Sequence, residues 1–381
     1  MKKARRTALL MILGGFLILY LTSCVSKKSF SATEETNEPS LKTLGEINGL
    51  EWGTAIMPLG MDDEIYKDTM AQQFDFLIPD YGMYMSQTQP EKGVWTFGDM
   101  DEIVRYAQAN DMRVRGHILV WALPVNSGGL GSEGFQPTPD WVQDGDFSRE
   151  ELIEIMGDHI ETVMARYSGT INEWVVVNEA VGGFQLDEMI DNVWLRGIGK
   201  DYVELAFRRA HEVDPDAYLI LSDYGADFVG QLQGGREKVS NFYNFVKKLV
   251  AKGVPIDAVG LQFHLIVGVD YPFVDSIVQN LTSYRDLGLD ACVTELDVRM
   301  SEPITADKLE RQALIYATVT QAVLEADTCD SISVFGFSDK YSWITTFNIF
   351  PGDTAATIMD SEFKPRESYW AILDAMQEHQ K

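Results

Sequence analysis

Two carboxylates directly follow strongly apolar segments of the sequence. Glu179 comes after the segment WVVVN at 174–178, and Glu295 comes after residues 291–294. A buried carboxylate is costly unless it is paired, so a single one in such a place usually belongs to a structural ion pair. Two carboxylates that face one cavity can instead cleave a glycosidic bond, one as acid and then base, the other as nucleophile. We therefore take Glu179 and Glu295 as the candidate catalytic pair.

Further polar and aromatic residues end other apolar segments. Amide and imidazole groups can hydrogen-bond sugar hydroxyls, and aromatic rings offer flat apolar faces to sugar C–H groups. The candidates of this kind are His117, Trp121, Asn178, Asp223, Tyr224, Gln262, His264, Asp297, Asp339, Lys340 and Trp343. No cysteine or histidine spacing is typical of a zinc site, and we expect neither a metal nor a cofactor.

The elements that precede these residues must bring them together. Short apolar segments predict strands at 50–57, 76–81, 113–121, 173–178, 218–223, 258–264, 291–296 and 332–337. Apolar residues at helical spacing predict helices at 65–73, 99–110, 150–167, 202–213, 236–252, 273–287, 308–326 and 365–378. Eight strand–helix units predict an α/β fold, a single-domain (β/α)8 TIM barrel. An open doubly wound sheet is disfavoured, because no glycine-rich phosphate loop follows the first strand.

In such a barrel the chemistry lies at the carboxyl ends of the strands. The candidate residues lie at or just after the ends of the third to eighth predicted strands. We therefore expect them to line one cavity. The long segment 124–148, rich in glycine and proline, is predicted to be a loop over the same face.

Six segments resemble, in order, the motifs of glycoside hydrolase family 10, the retaining endo-β-1,4-xylanases. RGHILVW at 115–121 is similar to RGHTLVW, WVVVNEA at 174–180 to WDVVNEA, and GLQFH at 260–264 to GLQSH. TELD at 294–297 matches the nucleophile motif, SDKYSW at 338–343 is similar to TDKDSW, and 363–372 resembles the closing helix. The resemblance covers roughly residues 48–378.

The resemblance implies a role for each matching residue. Glu179 would be the acid/base and Glu295 the nucleophile, with their carboxyl groups about 5–5.5 Å apart. Asn178 would bind the 2-hydroxyl of the −1 sugar, His264 would hydrogen-bond Glu295, and Gln262 would orient the acid/base side. The other implied substrate-binding residues are His117, Trp121 and Trp343 around the −1 sugar; for Asp223 and Tyr224 a site role and a structural role both stay open.

The departures from the family pattern cluster where the family binds the −2 sugar. Members usually carry Glu-Asn and then Lys after the second strand, and Asp80, Tyr81 and Tyr84 stand at these positions here. Ala122 stands in place of a His, and Phe335 in place of one cleft Trp. A site that loses polar partners for particular hydroxyls loses discrimination for them. We therefore expect Tyr84 to contact substrate in a −2 subsite that is not a standard xylose site.

The first residues are typical of a targeting signal. The basic start MKKARR precedes an apolar run at 8–21, which is short for a membrane span and suits a signal peptide. The ending LTSC at 21–24 resembles a bacterial lipobox, in which the cysteine is lipidated. We predict a lipoprotein signal peptide at 1–23, a lipid on Cys24, a flexible tether at 24–46 and the barrel at 47–381, held at the cell surface or outer membrane. An ordinary signal peptide with an incidental cysteine is the alternative.

Composition sets limits on the partners. The chain has 381 residues, 45% of them hydrophobic, which is enough for a large core. Its net charge of −27 argues against nucleic acid, because phosphate binding needs a basic surface. We expect a polysaccharide or oligosaccharide substrate, a membrane contact through the lipid only, and a monomer. Cys292 and Cys329 can form a disulfide in an exported protein or remain buried thiols.

These observations favour a retaining β-glycoside hydrolase, most simply an endo-1,4-β-xylanase. One alternative has the same mechanism on a non-xylan or decorated β-glycan, because the −2 stretch is altered. Another is a non-catalytic glycan-binding lipoprotein, which the intact carboxylate pair disfavours.

Overall fold

The computed structural model describes residues 39–125, 127–130, 134–232, 234–270 and 272–380. The predicted signal peptide, Cys24 and most of the predicted tether lie outside the described residues. Among the residues that the structure does describe, no helix is both long and apolar enough to cross a membrane.

Eight parallel strands form a closed barrel. They are β1 (Glu51–Ile56), β2 (Phe76–Pro79), β3 (Arg113–Val120), β4 (Glu173–Asn178), β5 (Tyr218–Asp223), β6 (Ala258–Leu261), β7 (Asp290–Ser301) and β8 (Ser331–Val334). Each strand pairs with the next, and β8 pairs with β1 to close the sheet. The strands are buried on both faces, which explains their nearly continuous apolar sequences. The predicted (β/α)8 fold is confirmed.

Helices surround the barrel or lie in its loops. They are α1 (Leu41–Asn48), α2 (Glu64–Gln73), α3 (Met85–Thr88), α4 (Gly98–Ala109), α5 (Asp140–Gln143), α6 (Arg149–Arg166), α7 (Val193–Gly197), α8 (Tyr202–Val213), α9 (Lys238–Ala251), α10 (Val274–Ser283), α11 (Ala306–Ala326), α12 (Trp343–Thr346) and α13 (Glu367–His379). Short 3-10 helices span Pro58–Gly60, Tyr284–Leu287 and Asp339–Tyr341. Two further short strands, His264–Ile266 and Asp353–Thr354, pair with β7.

The strand predicted at 258–264 is wrong as a single element. β6 ends at Leu261, and the next strand, His264–Ile266, begins after a turn. Phe263 adopts a φ of 59°, which a continuous strand does not allow. Its backbone N–H donates to the buried Asp227 carboxylate at 3.1 Å, so a tertiary hydrogen bond stabilises the turn. Gln262 and His264 therefore do not continue the regular alternation of side chains along β6.

The folded domain begins earlier than predicted. Ser40 caps helix α1 by accepting the Thr43 N–H at 3.1 Å, and Leu41 and Leu44 are buried. The N–H of Leu41 donates to Gln73 at the end of α2, and α1 contacts β1 and α13. The predicted tether is therefore wrong over its last residues, and the barrel domain begins near residue 40 rather than at 47. The chain enters the barrel beside the start of β1, on the amino-terminal face.

Cys292 and Cys329 form a disulfide bond. Cys292 lies near the start of β7 and Cys329 lies just before β8. The bond therefore joins neighbouring strands at the amino-terminal face of the barrel, away from the carboxyl ends. Of the two states that the sequence left open, the structure has the disulfide.

Candidate active site

The carboxyl ends of the strands open into a cavity of about 350 Å³. Glu179 directly follows β4, and Glu295 lies in β7. Ten of the predicted residues line this cavity: His117, Trp121, Asn178, Glu179, Tyr224, Gln262, His264, Glu295, Trp343 and Tyr84. The expectation is wrong for Asp223, Asp297, Asp339 and Lys340, which do not line it. Asp339 pairs instead with Arg366, and Lys340 pairs with Asp63.

Glu179 is placed by an unusual backbone conformation at the end of its strand. Its φ is 55°, a region that residues other than glycine seldom adopt, and its N–H donates to the Ser222 carbonyl at 2.9 Å. The indole Nε1 of Trp121 donates to Glu179 Oε2 at 3.0 Å. The amide Nε2 of Gln262 lies 3.3 Å from Oε1 and 3.0 Å from the side-chain oxygen of Asn178. The carboxyl group is thus held by the side chains of residues that directly follow β3 and β6.

Burial raises the pKa of Glu179 to about 7, and the nearby charges of Asp223 and Glu295 act in the same direction. The hydrogen bond from Gln262 opposes this shift without cancelling it. A proton on Glu179 is therefore retained up to nearly neutral pH, as a general acid requires.

Glu295 lies in the opposite environment. Burial alone would raise its pKa, but the hydrogen bond from His264, the charges of His117 and His264 and the hydrogen bond from Ser222 outweigh it. The pKa of Glu295 is therefore lowered. The contacts are 3.3 Å from His264 Nε2 and 3.3 Å from Ser222 Oγ. Glu295 is ionised where Glu179 is still protonated.

His264 is kept charged by a second carboxylate behind it. Its Nδ1 lies 2.8 Å from Asp297 Oδ2, an atom that also accepts the indole N–H of Trp343 at 2.8 Å. Burial lowers the pKa of His264, but the charge and hydrogen bond of Asp297 and the contact with Glu295 raise it to about 10. The protonated imidazole can donate to Glu295 and Asp297 together, which fixes the orientation of its ring.

The sequence matches the model of Glycosyl hydrolase family 10 over residues 40–375, which is most of the chain. The chain belongs to glycosyl hydrolase family 10. It is a glycosidase, as the sequence predicts.

The chain is similar to known endo-1,4-beta-xylanases and to solved xylanase structures over most of its length. Endo-1,4-beta-xylanase B of Thermotoga neapolitana is 33% identical over 370 residues, covering 96% of this chain and 98% of the relative. Endo-1,4-beta-xylanase A of Phanerodontia chrysosporium is 31% identical, covering 88% of this chain and 77% of the relative. The crystal structure of xylanase 10B from Thermotoga petrophila in complex with xylobiose superimposes with a TM-score of 0.81 at 32% identity, covering 91% of this chain and 100% of that one.

Behind Glu179, this family 10 chain carries a fully buried ion pair. Lys238 and Asp223 are both 0% exposed, and Lys238 Nζ lies 2.7 Å from Asp223 Oδ1. Asp223 also accepts the N–H groups of Val181 and Tyr224, both at 3.0 Å. Nζ lies 4.2 Å from the centre of the Tyr224 ring. Asp223 thus supports the backbone after Glu179 rather than pointing into the cavity, whereas Tyr224 lines the cavity.

The altered stretch after β2 forms an aromatic wall on one side of the cavity. Tyr84 is buried and donates its hydroxyl to Asp80 at 2.6 Å. Burial raises the pKa of Asp80 to about 7, although this hydrogen bond lowers it in part. Tyr81 packs on Phe135 and Phe347, with ring centres 4.7 and 5.4 Å apart, and does not line the cavity itself. The polar residues that the family pattern expects here are replaced largely by rings.

Several lining residues were not named from the sequence. They are Leu130, Phe135, Arg299, Phe347, Ile349 and Phe350. Asp80 and Phe335, noted in the sequence as departures from the family pattern, also line the cavity. Leu130 and Phe135 belong to the loop 124–148, whose place over the cavity was predicted without naming residues. The aromatic residues at 347–350 follow Trp343 closely, and that proximity was the one signal available for them.

The carboxylates of the cavity are bonded to protein donors, as Glu179 is to Trp121, Glu295 to His264 and Asp80 to Tyr84. Within the described ranges, no group of three or more His, Cys, Asp or Glu side chains could hold a metal ion. The residues present suit acid–base and nucleophilic chemistry.

Proposed function

We propose that this chain is an endo-1,4-β-xylanase that acts by double displacement at the cell surface. The observation that carries the proposal is the pair of carboxyl groups in one cavity with opposite pKa shifts, upward at Glu179 and downward at Glu295. When the surroundings of two carboxyl groups separate their pKa values, one group can stay protonated and act as the acid while the other is ionised and acts as the nucleophile. We choose xylan as the substrate because its relatives are named endo-1,4-beta-xylanases.

The first step breaks the glycosidic bond. Glu295, ionised, attacks the anomeric carbon and forms an ester with the sugar, while Glu179 transfers its proton to the departing oxygen. In the second step Glu179, now ionised, takes a proton from water, whose oxygen attacks the anomeric carbon and releases Glu295. Two inversions leave the product with the configuration of the substrate. We expect the carboxyl groups of Glu179 and Glu295 to stand about 5–5.5 Å apart, as this mechanism requires.

The surrounding residues prepare these steps. His264 stabilises the ionised nucleophile, and Asp297 keeps His264 protonated and in place. Trp121 and Gln262 hold the acid/base group, and Asn178 lies beside it for a sugar hydroxyl. The charges are therefore arranged before substrate arrives, which is the usual source of electrostatic stabilisation in a transition state.

The test uses linear xylan, aryl β-xylosides and the variants Glu179→Ala and Glu295→Ala. We expect wild type to release β-configured products, detected by proton NMR before mutarotation. Each variant should lose about 10²–10⁴-fold or more in kcat. Added azide should restore turnover in both variants, giving a β-glycosyl azide with Glu179→Ala and an α-glycosyl azide with Glu295→Ala. Release of α-configured products by wild type would reject the double displacement.

A second candidate keeps this mechanism and changes the glycan. It is favoured by the pair of Tyr84 and Asp80, which stands where the family pattern has a lysine and a glutamate. Xylan, glucan, mannan and acid-decorated xylan tested side by side would separate the two candidates. A kcat/KM on another backbone that exceeds that on every xylan would favour the second.

A further inference from the structure

Arg299 is a buried cation in the wall of the catalytic cavity. It lies in β7, and the alternation of a strand puts Glu295, Asp297 and Arg299 on the same face. The residue is 5% exposed. Among the described residues that line the cavity it is the one arginine or lysine, whereas Asp80, Glu179 and Glu295 are acidic.

Its guanidinium group is fixed in position but only partly bonded. Nε donates to Asp353 Oδ2 at 3.0 Å, and the guanidinium carbon lies 3.8 Å from the centre of the Phe350 ring. Asp270 lies close enough for its carboxylate to feel the charge of Arg299. Nη1 is buried and has no hydrogen-bond partner within the part of the chain that the structure describes. A buried donor without an acceptor is costly, and a charged one more so, unless a ligand supplies the acceptor.

We propose that Arg299 binds a carboxylate on the substrate, carried by a uronic acid attached to the xylan backbone. A planar guanidinium presents N–H groups in a fork that matches a carboxylate better than a single hydroxyl. Because Asp353 takes Nε and Phe350 covers one face, the Nη groups are the donors left for a ligand. The inference rests on the proposed xylanase function and names its substrate class, an acid-decorated β-1,4-xylan.

The position along β7 indicates which part of the substrate is bound. Arg299 lies four residues beyond Glu295, which is about 13 Å of extended strand. The carboxylate therefore belongs to a side group or a neighbouring sugar, not to the ring whose bond is cleaved. Replacing Arg299 should therefore change the selectivity between acidic and neutral substrates more than it changes the rate of the chemical step.

The test compares three xylo-oligosaccharides of equal backbone length: one unsubstituted, one with a single glucuronic acid side group, and one with the methyl ester of that group. The ester keeps the size and removes the charge. We expect wild type to prefer the acid over the ester in kcat/KM. Arg299→Gln should reduce this ratio by about 10–100-fold, the range for one charge-assisted contact. Added salt should reduce the wild-type ratio as well, because it screens the charge.

Two further variants keep the test decisive. If the single variant folds poorly, Arg299→Gln with Asp353→Asn removes both members of the ion pair, so that Asp353 is not left as an unpaired carboxylate. Arg105→Gln, at an exposed position on α4, changes the net charge equally and should leave the ratio unchanged. Two results would overturn the role of Arg299 and leave the xylanase function standing. One is cleavage of the unsubstituted oligosaccharide with no preference for the acid over the ester. The other is a preference for the acid that persists in the folded double variant. Wild type that cleaves none of the three would overturn the xylanase function, and this inference with it.

Discussion

Glu179 and Glu295 carry the same functional group, and their surroundings shift their pKa values in opposite directions. At Glu179 burial dominates and is reinforced by two neighbouring negative charges. At Glu295 the donors His264 and Ser222 more than offset burial. Asp297 contributes to the difference, because its charge and hydrogen bond raise the pKa of His264, the donor to Glu295.

The activity should decline as pH rises through about 7. Glu179 must hold its proton to act as an acid, and its pKa is raised to about 7, so the active fraction is complete below that value and is lost above it. The acid-side decline should lie at low pH, because the pKa of Glu295 is lowered and its ionised form persists there. Gln262→Leu removes a donor that favours ionised Glu179, so its alkaline limb should move to higher pH.

The measurement is kcat/KM against pH for wild type and Gln262→Leu. Gln321→Leu, at an exposed position on α11, serves as the matched control and should keep the wild-type profile. An alkaline limb that moves to lower pH in Gln262→Leu would show that Gln262 does not stabilise the carboxylate.

Restoring the family pattern after β2 should raise activity on unsubstituted xylan. Tyr84→Lys with Tyr81→Asn would supply a charged donor beside Asp80, and lost hydrogen bonds of this kind cost about 1–3 kcal/mol each, so a rise of about 10-fold is expected. Tyr84→Lys alone should give most of the effect, because Tyr81 does not line the cavity. Tyr84→Phe, which keeps the ring, is the control. If wild type cleaves linear xylo-oligosaccharides as efficiently as its relatives and the double change weakens it, the tyrosines themselves bind xylose.

At the scale of elements, the most regular segments were the most predictable. The bounds predicted for β4, β5 and α8 agree with the structure, because continuous apolar runs or a single apolar face determine them locally. The break after β6 was missed, since the bond from Phe263 to Asp227 joins residues distant in sequence. Helix α1 was missed because only Leu41 and Leu44 mark its buried face within a polar stretch.

The candidate site shows the same division. Residues at strand ends could be predicted, because the barrel fixes where those ends meet. The aromatic wall could not, because Phe135 and Phe347 come from loops after different strands and pack together only in the folded chain. Arg299 escaped prediction for another reason. β7 extends to Ser301, beyond the predicted end at 296, and only that extension places Arg299 on the cavity.

The disulfide between β7 and β8 should contribute to stability and not to catalysis. It closes a loop of 37 residues, for which a chain-entropy model gives about 4 kcal/mol. Cys292→Ala with Cys329→Ala should therefore lower Tm by a few degrees while kcat is kept, since the bond lies at the face away from the cavity. Thermal unfolding with and without a reductant checks this, and the double variant should no longer respond to the reductant. An equal Tm for wild type and variant, both oxidised, would contradict the expectation.

At the scale of the whole molecule, we propose that a lipid on Cys24 holds the enzyme at a membrane. The motivation is the basic start, the apolar run at 8–21 and the LTSC ending. Cys24→Ser should release the protein from membrane fractions or block its processing, as seen by fractionation and by the mass of the mature protein. Cys292→Ala with Cys329→Ala, which removes two cysteines of the barrel without leaving a free thiol, is the control for loss of a cysteine. Unchanged membrane attachment with normal processing would exclude the lipid.

The place where the chain enters the barrel has a consequence for immobilised enzyme. Helix α1 packs beside the start of β1, on the face opposite the carboxyl ends that form the cavity. A bead coupled to the chain ahead of Leu41 would therefore lie behind the barrel, and a polymer much larger than the protein could still cross the open cleft. Coupling through a loop of the catalytic face should instead spare short oligosaccharides and block the polymer. The ratio of the two activities on such beads would report which way the barrel faces.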